Sequence, residues 1–312
     1  MVEKKAFTGE SYWNASFAKK HMHQIKTICI CGAGTMGSGI AMVSAQAGFQ
    51  TILFDLNGAV LEKAQVSILA SWNQLLVKGK INSEDLARFQ SLIQFTDKLA
   101  DCQADLIIEA IIEKLVAKTD LFRELEQINP LNTILASNTS SISINTIAQG
   151  LEHPSRFVGM HFFNPAPVMK LVELVKGQDT NEKVITLLQD ICQKMGKTAV
   201  VCKDAPGFIV NRVARHYYLE AMWLLAQAQE HGEEIDPASI DKILTASGFK
   251  MGPFQLMDLI GMDINYEVSQ IVYDALGQHE RLKPSPIQAQ KVADGHLGKK
   301  SGKGFYEYPP KP

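Results

Sequence analysis

The feature that most constrains this chain is Gly32-Ala33-Gly34-Thr35-Met36-Gly37, because of what lies on either side of it. Before it runs Lys26-Thr27-Ile28-Cys29-Ile30-Cys31, a short β-branched, apolar segment that predicts a buried parallel strand. After it, Met36, Ile40, Val43 and Ala47 recur at helical spacing and Gly48 stops the helix. A second apolar run, Thr51-Ile52-Leu53-Phe54, ends in Asp55. Strand, glycine turn, helix, strand and terminal acid together predict a dinucleotide-binding unit. Gly32 permits the tight turn, Gly34 lets the backbone approach a pyrophosphate, and Gly37 lets the helix pack closely on the strand. The N–H groups at the helix start, around Thr35 and Met36, then meet negative charge. Asp55 is expected to accept hydrogen bonds from the adenosine ribose and to repel a 2′-phosphate, which selects NAD over NADP.

At 312 residues the chain is long for one compact core, so two domains are expected. The net charge of −2 gives no general attraction for nucleic acid or anionic membrane. No apolar run reaches the roughly 20 residues needed to span a bilayer. Five cysteines (Cys29, Cys31, Cys102, Cys192, Cys202) form no CxxC pair and no metal-ligand spacing. They read as small buried hydrophobes in a reducing compartment, and no metal site is expected. Residues 1–24 precede the first strand and read as an arm outside the fold. The arm has neither the apolar core of a secretory signal nor the Arg content of a transit segment, so a cytoplasmic protein is expected.

Three domain-level segments follow: the arm 1–24, a dinucleotide domain 25–204, and a helical substrate and dimerisation domain 205–312. In the second, a long helix near 60–78 and a shorter one near 83–92 predict a helical hairpin projecting from the sheet. Strands are expected at 93–95, 105–112, 133–137, 156–162 and 197–202, with helices at 114–127 and 181–195. This alternation implies an α/β, Rossmann-type, doubly wound and mostly parallel sheet, followed by an all-α C-terminal domain. Beyond Asp204-Ala205-Pro206-Gly207 only helical patterns appear. Asp236-Pro237 opens one with Ile240, Ile243, Leu244 and Ser247 on one face and Gly248 ending it. A second carries the stripe Val268, Ile271, Val272, Ala275, Leu276, and Ser285-Pro286 opens a third.

His161 stands at the end of an expected strand, where ligands bind in open α/β sheets, and can serve as a general base. Its alternative is a purely structural histidine. Twelve residues on, Glu173 interrupts the apolar run Leu171-Val172-Glu173-Leu174-Val175, where a buried carboxylate needs a partner. Facing His161, it would fix the imidazole tautomer and stabilise the imidazolium; the alternative is an edge-strand acid facing water. The hydroxyls of Ser137-Asn138-Thr139-Ser140-Ser141 suit a substrate oxygen or the nicotinamide, or else cap a helix ahead of Ile144. Asn211, one turn into the helix opened by Pro206-Gly207, either binds a substrate oxygen or bridges the domains.

With these residues assembled, the chain resembles the 3-hydroxyacyl-CoA dehydrogenases, and its length resembles their short, single-activity members. The resemblance runs from about residue 26 to the C-terminus. It rests on GAGTMGSGIA at 32–41, SNTSS at 137–141, HFFNPAPVMKLVEL at 161–174, DAPGFIVNR at 204–212, MGPFQLMD at 251–258 and GKKSGKGFYEY at 298–308. It implies NAD-dependent interconversion of L-3-hydroxyacyl-CoA and 3-ketoacyl-CoA, in fatty-acid or related thioester metabolism, by a homodimer. It further implies that His161 is the base, Glu173 its orienting partner, and Ser140 and Asn211 the groups that bracket the substrate's 3-oxygen. Glu113, Lys118, Ser140 and Lys300 fall where the family contacts the dinucleotide. Lys63, Lys78 and Lys80 are candidates for CoA phosphates, with solvated surface as their alternative. Two other functions stand beside this one: a related β-hydroxyacid or polyol dehydrogenase without CoA, and a non-catalytic NAD-binding protein.

Overall fold

A computed structural model describes residues 25–309, so the N-terminal arm 1–24 lies outside the described residues. The chain divides into two compact units, one ending at Asp204 and the other beginning at Ala205.

The first unit is built on eight strands: β1 (Thr27–Cys31), β2 (Gln50–Phe54), β3 (Ile93–Thr96), β4 (Leu106–Glu109), β5 (Ile134–Ser137), β6 (Phe157–Phe162), β7 (Leu171–Lys176) and β8 (Thr198–Lys203). Their order is β3-β2-β1-β4-β5-β6-β7-β8, and every pairing is parallel except β6 with β7. The chain reverses its direction of travel across the sheet between β1 and β4, which places the crevice for a ligand at the carboxyl end of β1. Helices α1 (Thr35–Gln46), α2 (Gly58–Val77), α3 (Ser83–Leu92), α4 (Leu115–Ile128), α5 (Ile144–Ala148) and α6 (Glu182–Lys194) complete the unit. Strand residues alternate between the two faces. Ile28 and Ile30 of β1 thus join Leu53, Leu106 and Ile108 in one buried cluster, and Cys29 and Cys31 point to the other face.

Three local expectations need correcting. The helical hairpin does not simply project, because Ala64, Ile68, Trp72 and Phe89 on its inner side belong to the main core, with Trp72 and Phe89 ring centroids 5.7 Å apart. The strand expected over 105–112 ends at Glu109; Ala110 N makes one last bond to Cys31 O of β1 at 2.7 Å, and Ala110 and Ile111 then turn beneath the glycine loop. The helix α7 (Val210–Glu230) starts at Val210 rather than at Pro206-Gly207, so Asn211 lies in its first turn. By contrast α3 has the bounds read from sequence. Asn82 accepts from Asp85 N while Asp85 accepts from Asn82 N, a reciprocal cap that contributes about 1 kcal/mol.

The second unit holds α7, α8 (Pro237–Ala246), α9 (Pro253–Ile260), α10 (Met262–Ala275) and α11 (Pro286–Ala293). Two buried carboxylates organise it. Asp241 accepts from Phe254 N, Gln255 N and Tyr306 Oη; Asp258 accepts from Phe305 N, Tyr306 N and Tyr308 Oη. The motifs at 251–258 and 298–308 therefore clamp each other. The inward side of α10 departs from the expected apolar stripe: of its five residues only Val272 is fully buried, whereas Asn265 and Ser269 are buried around Arg215. Arg215 donates to Asn265 O at 2.8 Å and Ser269 Oγ at 3.0 Å, and burial pushes its guanidinium down to about 10. Similarly, Ile240 of α8 is buried but Ile243 is largely exposed.

Candidate active site

The glycine turn leaves the carboxyl end of β1, and its geometry gives each glycine a distinct part. Gly32 has φ +108°, and a Cβ there would meet Ala110 O at 2.5 Å. A Cβ on Gly37 would lie 1.7 Å from Gly32 O, so α1 can approach the turn only without a side chain at this position. Gly34 differs: it is the N-cap of α1, has ordinary φ −67°, and a Cβ there would enter open space. No side chain caps this helix start, which leaves its amide dipoles facing whatever enters that space. Asp55, just beyond β2, receives Ala33 N on one carboxylate oxygen at 2.8 Å and Asn57 N on the other at 2.9 Å. Each oxygen retains a lone pair for a ribose hydroxyl. An uncapped helix start, an open approach and an acid at the end of the second strand fit NAD.

This contrast yields a prediction. Gly34→Ala should keep or slightly raise stability, by about 0.4–1 kcal/mol, and lose NADH affinity, while Gly37→Ala should lose both. Thermal melts and NADH fluorescence titrations read the two effects. Wild-type NADH affinity in Gly34→Ala would contradict the assigned approach path.

A second group assembles behind this turn, and sequence reasoning captured only part of it. Glu109, at the end of β4, is fully buried; it accepts from Lys118 Nζ at 2.5 Å, Ser137 Oγ at 2.6 Å and Ile111 N at 2.8 Å. Lys118, also buried, reaches Glu113 at 3.1 Å. Glu113 in turn accepts from Thr139 Oγ1 (2.6 Å), Ser140 N (2.9 Å), Ser141 N (3.1 Å) and Ser141 Oγ (2.9 Å). One carboxylate thus holds the whole 139–141 turn. Burial would raise Glu113, but the Lys118 ammonium and the hydroxyl donors outweigh it and hold the carboxyl below its ordinary value. At Glu109 burial wins and the carboxyl is pushed up despite Lys118. Capping of α5, the alternative role for this cluster, falls to Ser143, which receives Thr146 N. Glu109 was missed, although the argument applied to Glu173, an acid inside an apolar run, applies equally to Leu106-Ile107-Ile108-Glu109.

The third group lies one strand further on. His161 and Glu173 are directly opposed in the antiparallel β6–β7 ladder, and His161 Nδ1 lies 2.8 Å from Glu173 Oε2. Both are buried, at 6% and 1% exposure. Because β8 pairs with the far side of β7, Glu173 is on an interior strand, which removes the edge-strand alternative. The Phe163 ring packs against the imidazole at 4.6 Å between centroids, and Asn138 Oδ1 accepts from Phe162 N at 2.8 Å, tying the 137–141 turn to β6. Glycine turn, Asp55, Ser140 turn and His161 therefore all occupy the carboxyl edge of one sheet. Asn211 and Lys300 belong to the helical unit, where Asn211 O receives Arg215 Nε and Lys300 pairs with Asp263 at 2.5 Å. Lys63, Lys78 and Lys80 are exposed.

The 3-hydroxyacyl-CoA dehydrogenase NAD binding domain model matches residues 27–205, and the family's C-terminal domain model matches 207–308. The 3-hydroxyadipyl-CoA dehydrogenase of Escherichia coli is 45% identical over 288 residues, which is 92% of this chain and 60% of that protein, so the chain spans under two thirds of this relative. A probable 3-hydroxybutyryl-CoA dehydrogenase of Bacillus subtilis is 39% identical over 286 residues, covering 91% of this chain and 98% of that one. The crystal structure of 3-hydroxybutyryl-CoA dehydrogenase from Escherichia coli K12 superposes with a TM-score of 0.88 at 42% identity, covering 93% of this chain and 61% of that one. The chain belongs to the 3-hydroxyacyl-CoA dehydrogenase family of NAD-dependent oxidoreductases.

Proposed function

We propose that the chain interconverts an L-3-hydroxyacyl-CoA and the corresponding 3-ketoacyl-CoA, with His161 as the base. The observation that carries this reading is the buried His161–Glu173 pair, 2.8 Å apart and locked by the strand ladder at the ligand-binding edge of the sheet. NAD, when bound, supplies the acceptor for the electron pair of the substrate's C3–H bond. Gly32, Gly34, Gly37 and the amides of Thr35 and Met36 are assigned to its pyrophosphate, and Asp55 to its ribose. With Nδ1 committed to Glu173, His161 Nε2 takes the proton of the 3-hydroxyl. Glu173 holds the tautomer and offsets the imidazolium charge. Ser140 is assigned to the 3-oxygen, its turn held by Glu113; the same role for Asn211 rests on its place in the motif at 204–212. Glu113 is assigned to the dinucleotide, with Lys118 acting behind it through the carboxylate. The dinucleotide role of Lys300 rests on its motif alone.

Rapid loss of NADH absorbance with acetoacetyl-CoA, and little with NADPH or free acetoacetate, is the expected result. Turnover of free acetoacetate at the same rate would favour the CoA-independent dehydrogenase, and NADH binding without turnover the non-catalytic reading.

A homodimer and a cytoplasmic setting belong to the same proposal. Val213, Trp223 and Leu224 of α7 and Ile264 of α10 are large apolar side chains left about half or more exposed, which supports pairing through the helical unit. Sedimentation of the active preparation as 34.4 kDa monomers would refute that pairing. Five free cysteines support a reducing compartment, and no described helix is long and apolar enough to cross a membrane.

A further inference from the structure

Arg215 is only 3% exposed in the helical unit, and its five N–H donors are unequally used. Nε donates to Asn211 O at 3.0 Å, one turn back along α7. Nη1 donates to Asn265 O at 2.8 Å and to Ser269 Oγ at 3.0 Å, both on α10. Nη2 donates to nothing among the described residues. No carboxylate among them pairs with the group either. Lys118 and Arg156 are buried too, but each meets an acid, Glu109 at 2.5 Å and Glu126 at 3.3 Å. Arg215 has instead the Tyr218 ring, 4.9 Å from its guanidinium carbon. A second unused donor lies beside it. Asn265 is 1% exposed, and its Nδ2 is buried without a partner. That orientation is fixed: Ser285 N donates to Gln288 Oε1, so Gln288 presents Nε2 to Asn265, which accepts through Oδ1. We propose that Arg215, with Asn265 beside it, binds a carboxylate at the far end of the acyl chain, so that the substrate is the CoA thioester of a 3-hydroxy dicarboxylic acid.

Charge gives the first reason. A cation taken out of water without a counter-charge is costly, and a guanidinium brought down to about 10 is still protonated at neutral pH. A purely structural task does not require that charge. Asn265 O already receives Ser269 Oγ at 2.9 Å, and Gln288 Nε2 ties α11 to both Asn265 and Ser269. Neutral groups therefore hold these helices together, and the cation is left with donors to spare. A planar fork with one free nitrogen suits a carboxylate, which accepts on both oxygens.

Helix geometry sets the length of the chain. Residues four apart stack on one face of a helix, about 6 Å from each other along its axis. With the 3-oxygen at Asn211, a carboxylate three carbons beyond C3 spans about that rise and reaches the level of Arg215. A six-carbon acyl group is thus the expected size. A methyl end at the same place would leave the guanidinium desolvated and unpaired, and a site built for a polar group rejects the analogue that lacks it for this reason.

This site rests on the reading of Asn211 as the holder of the 3-oxygen, so turnover and binding are measured separately. Turnover of 3-oxoadipyl-CoA is compared with that of 3-oxohexanoyl-CoA, which has the same number of carbons and a methyl end. Affinities for adipyl-CoA and hexanoyl-CoA are measured by calorimetry in parallel. Wild type should favour the carboxylate-ended member of each pair by about 10²-fold, the usual scale for a hydrogen bond to a charged group. Arg215→Met, which keeps an unbranched side chain and removes the unpaired charge, should lose both preferences. Equal handling of each pair by wild type, or a preference that survives in folded Arg215→Met, overturns the site. If that variant does not fold, a crystal structure of wild type with adipyl-CoA decides: the carboxylate within hydrogen-bond distance of Nη2 supports the site, and the carboxylate elsewhere overturns it. Tighter binding of adipyl-CoA without turnover of either substrate would count against His161 as the base and leave the carboxylate site standing.

Discussion

Replacing His161 with Ala is expected to lower kcat by about 10²- to 10⁴-fold, the usual contribution of a positioned general base, while NADH affinity stays near wild type. Glu173→Gln should come close to it, since an amide preserves shape but removes the charge and the tautomer control, a loss of up to about 10⁴-fold in comparable carboxylate–histidine pairs. The double variant should be little worse than His161→Ala, because the two side chains act as one unit. Their geometry makes this a sharp test: the pair is opposed in a ladder and buried, with His161 Nδ1 and Glu173 Oε2 2.8 Å apart. Steady-state kinetics with acetoacetyl-CoA, together with NADH titrations, separate the two parameters. Normal turnover in both single variants would remove His161 as the base.

The largest effect on stability should come from Lys118→Met. It leaves Glu109 fully buried without its cation and takes the counter-charge from Glu113. Removing one partner of a buried pair costs about 3–5 kcal/mol. The sign of the pH dependence follows from Glu109, whose carboxyl burial already pushes up. A raised acid destabilises the fold above its ordinary titration range, where it must be charged, and that penalty vanishes once it is protonated. The defect of Lys118→Met should therefore be full at neutral and alkaline pH and shrink as pH falls. Adding Glu109→Gln should restore part of the loss at pH 7. Denaturant melts across pH measure both, and a defect that grows on acidification would refute the account. Activity should fall too, since the 139–141 turn hangs on Glu113.

What the sequence disclosed and what it concealed follow from the range of the interactions. The glycine turn, its flanking strands and α3 rest on neighbours a few residues apart, and periodicity and caps reveal such contacts directly. His161 and Glu173 were legible because a charge inside an apolar run is anomalous in one dimension. That they face each other is a matter of ladder register, which spacing left open. The end of β4 was misread because Ala110-Ile111-Ile112 continues the apolar pattern while the backbone has already turned beneath Gly32. The inner side of α10 was misread for the opposite reason. Asn265 and Ser269 are buried because Arg215 and Gln288, 50 and 23 residues away from Asn265, supply their partners.

The antiparallel turn between β6 and β7 has a consequence for how such a site can diversify. Register, not loop length, places Glu173 opposite His161, so residues added in 163–170 leave the pair intact, whereas one residue inserted within either strand turns Glu173 to the opposite face of the sheet. The segment is held by Lys197, whose ammonium reaches Ala166 O at 2.5 Å and Met169 O at 2.8 Å. Insertions outside that grip are thus the changes a lineage, or a directed-evolution library, can accumulate beside the base without dismantling it.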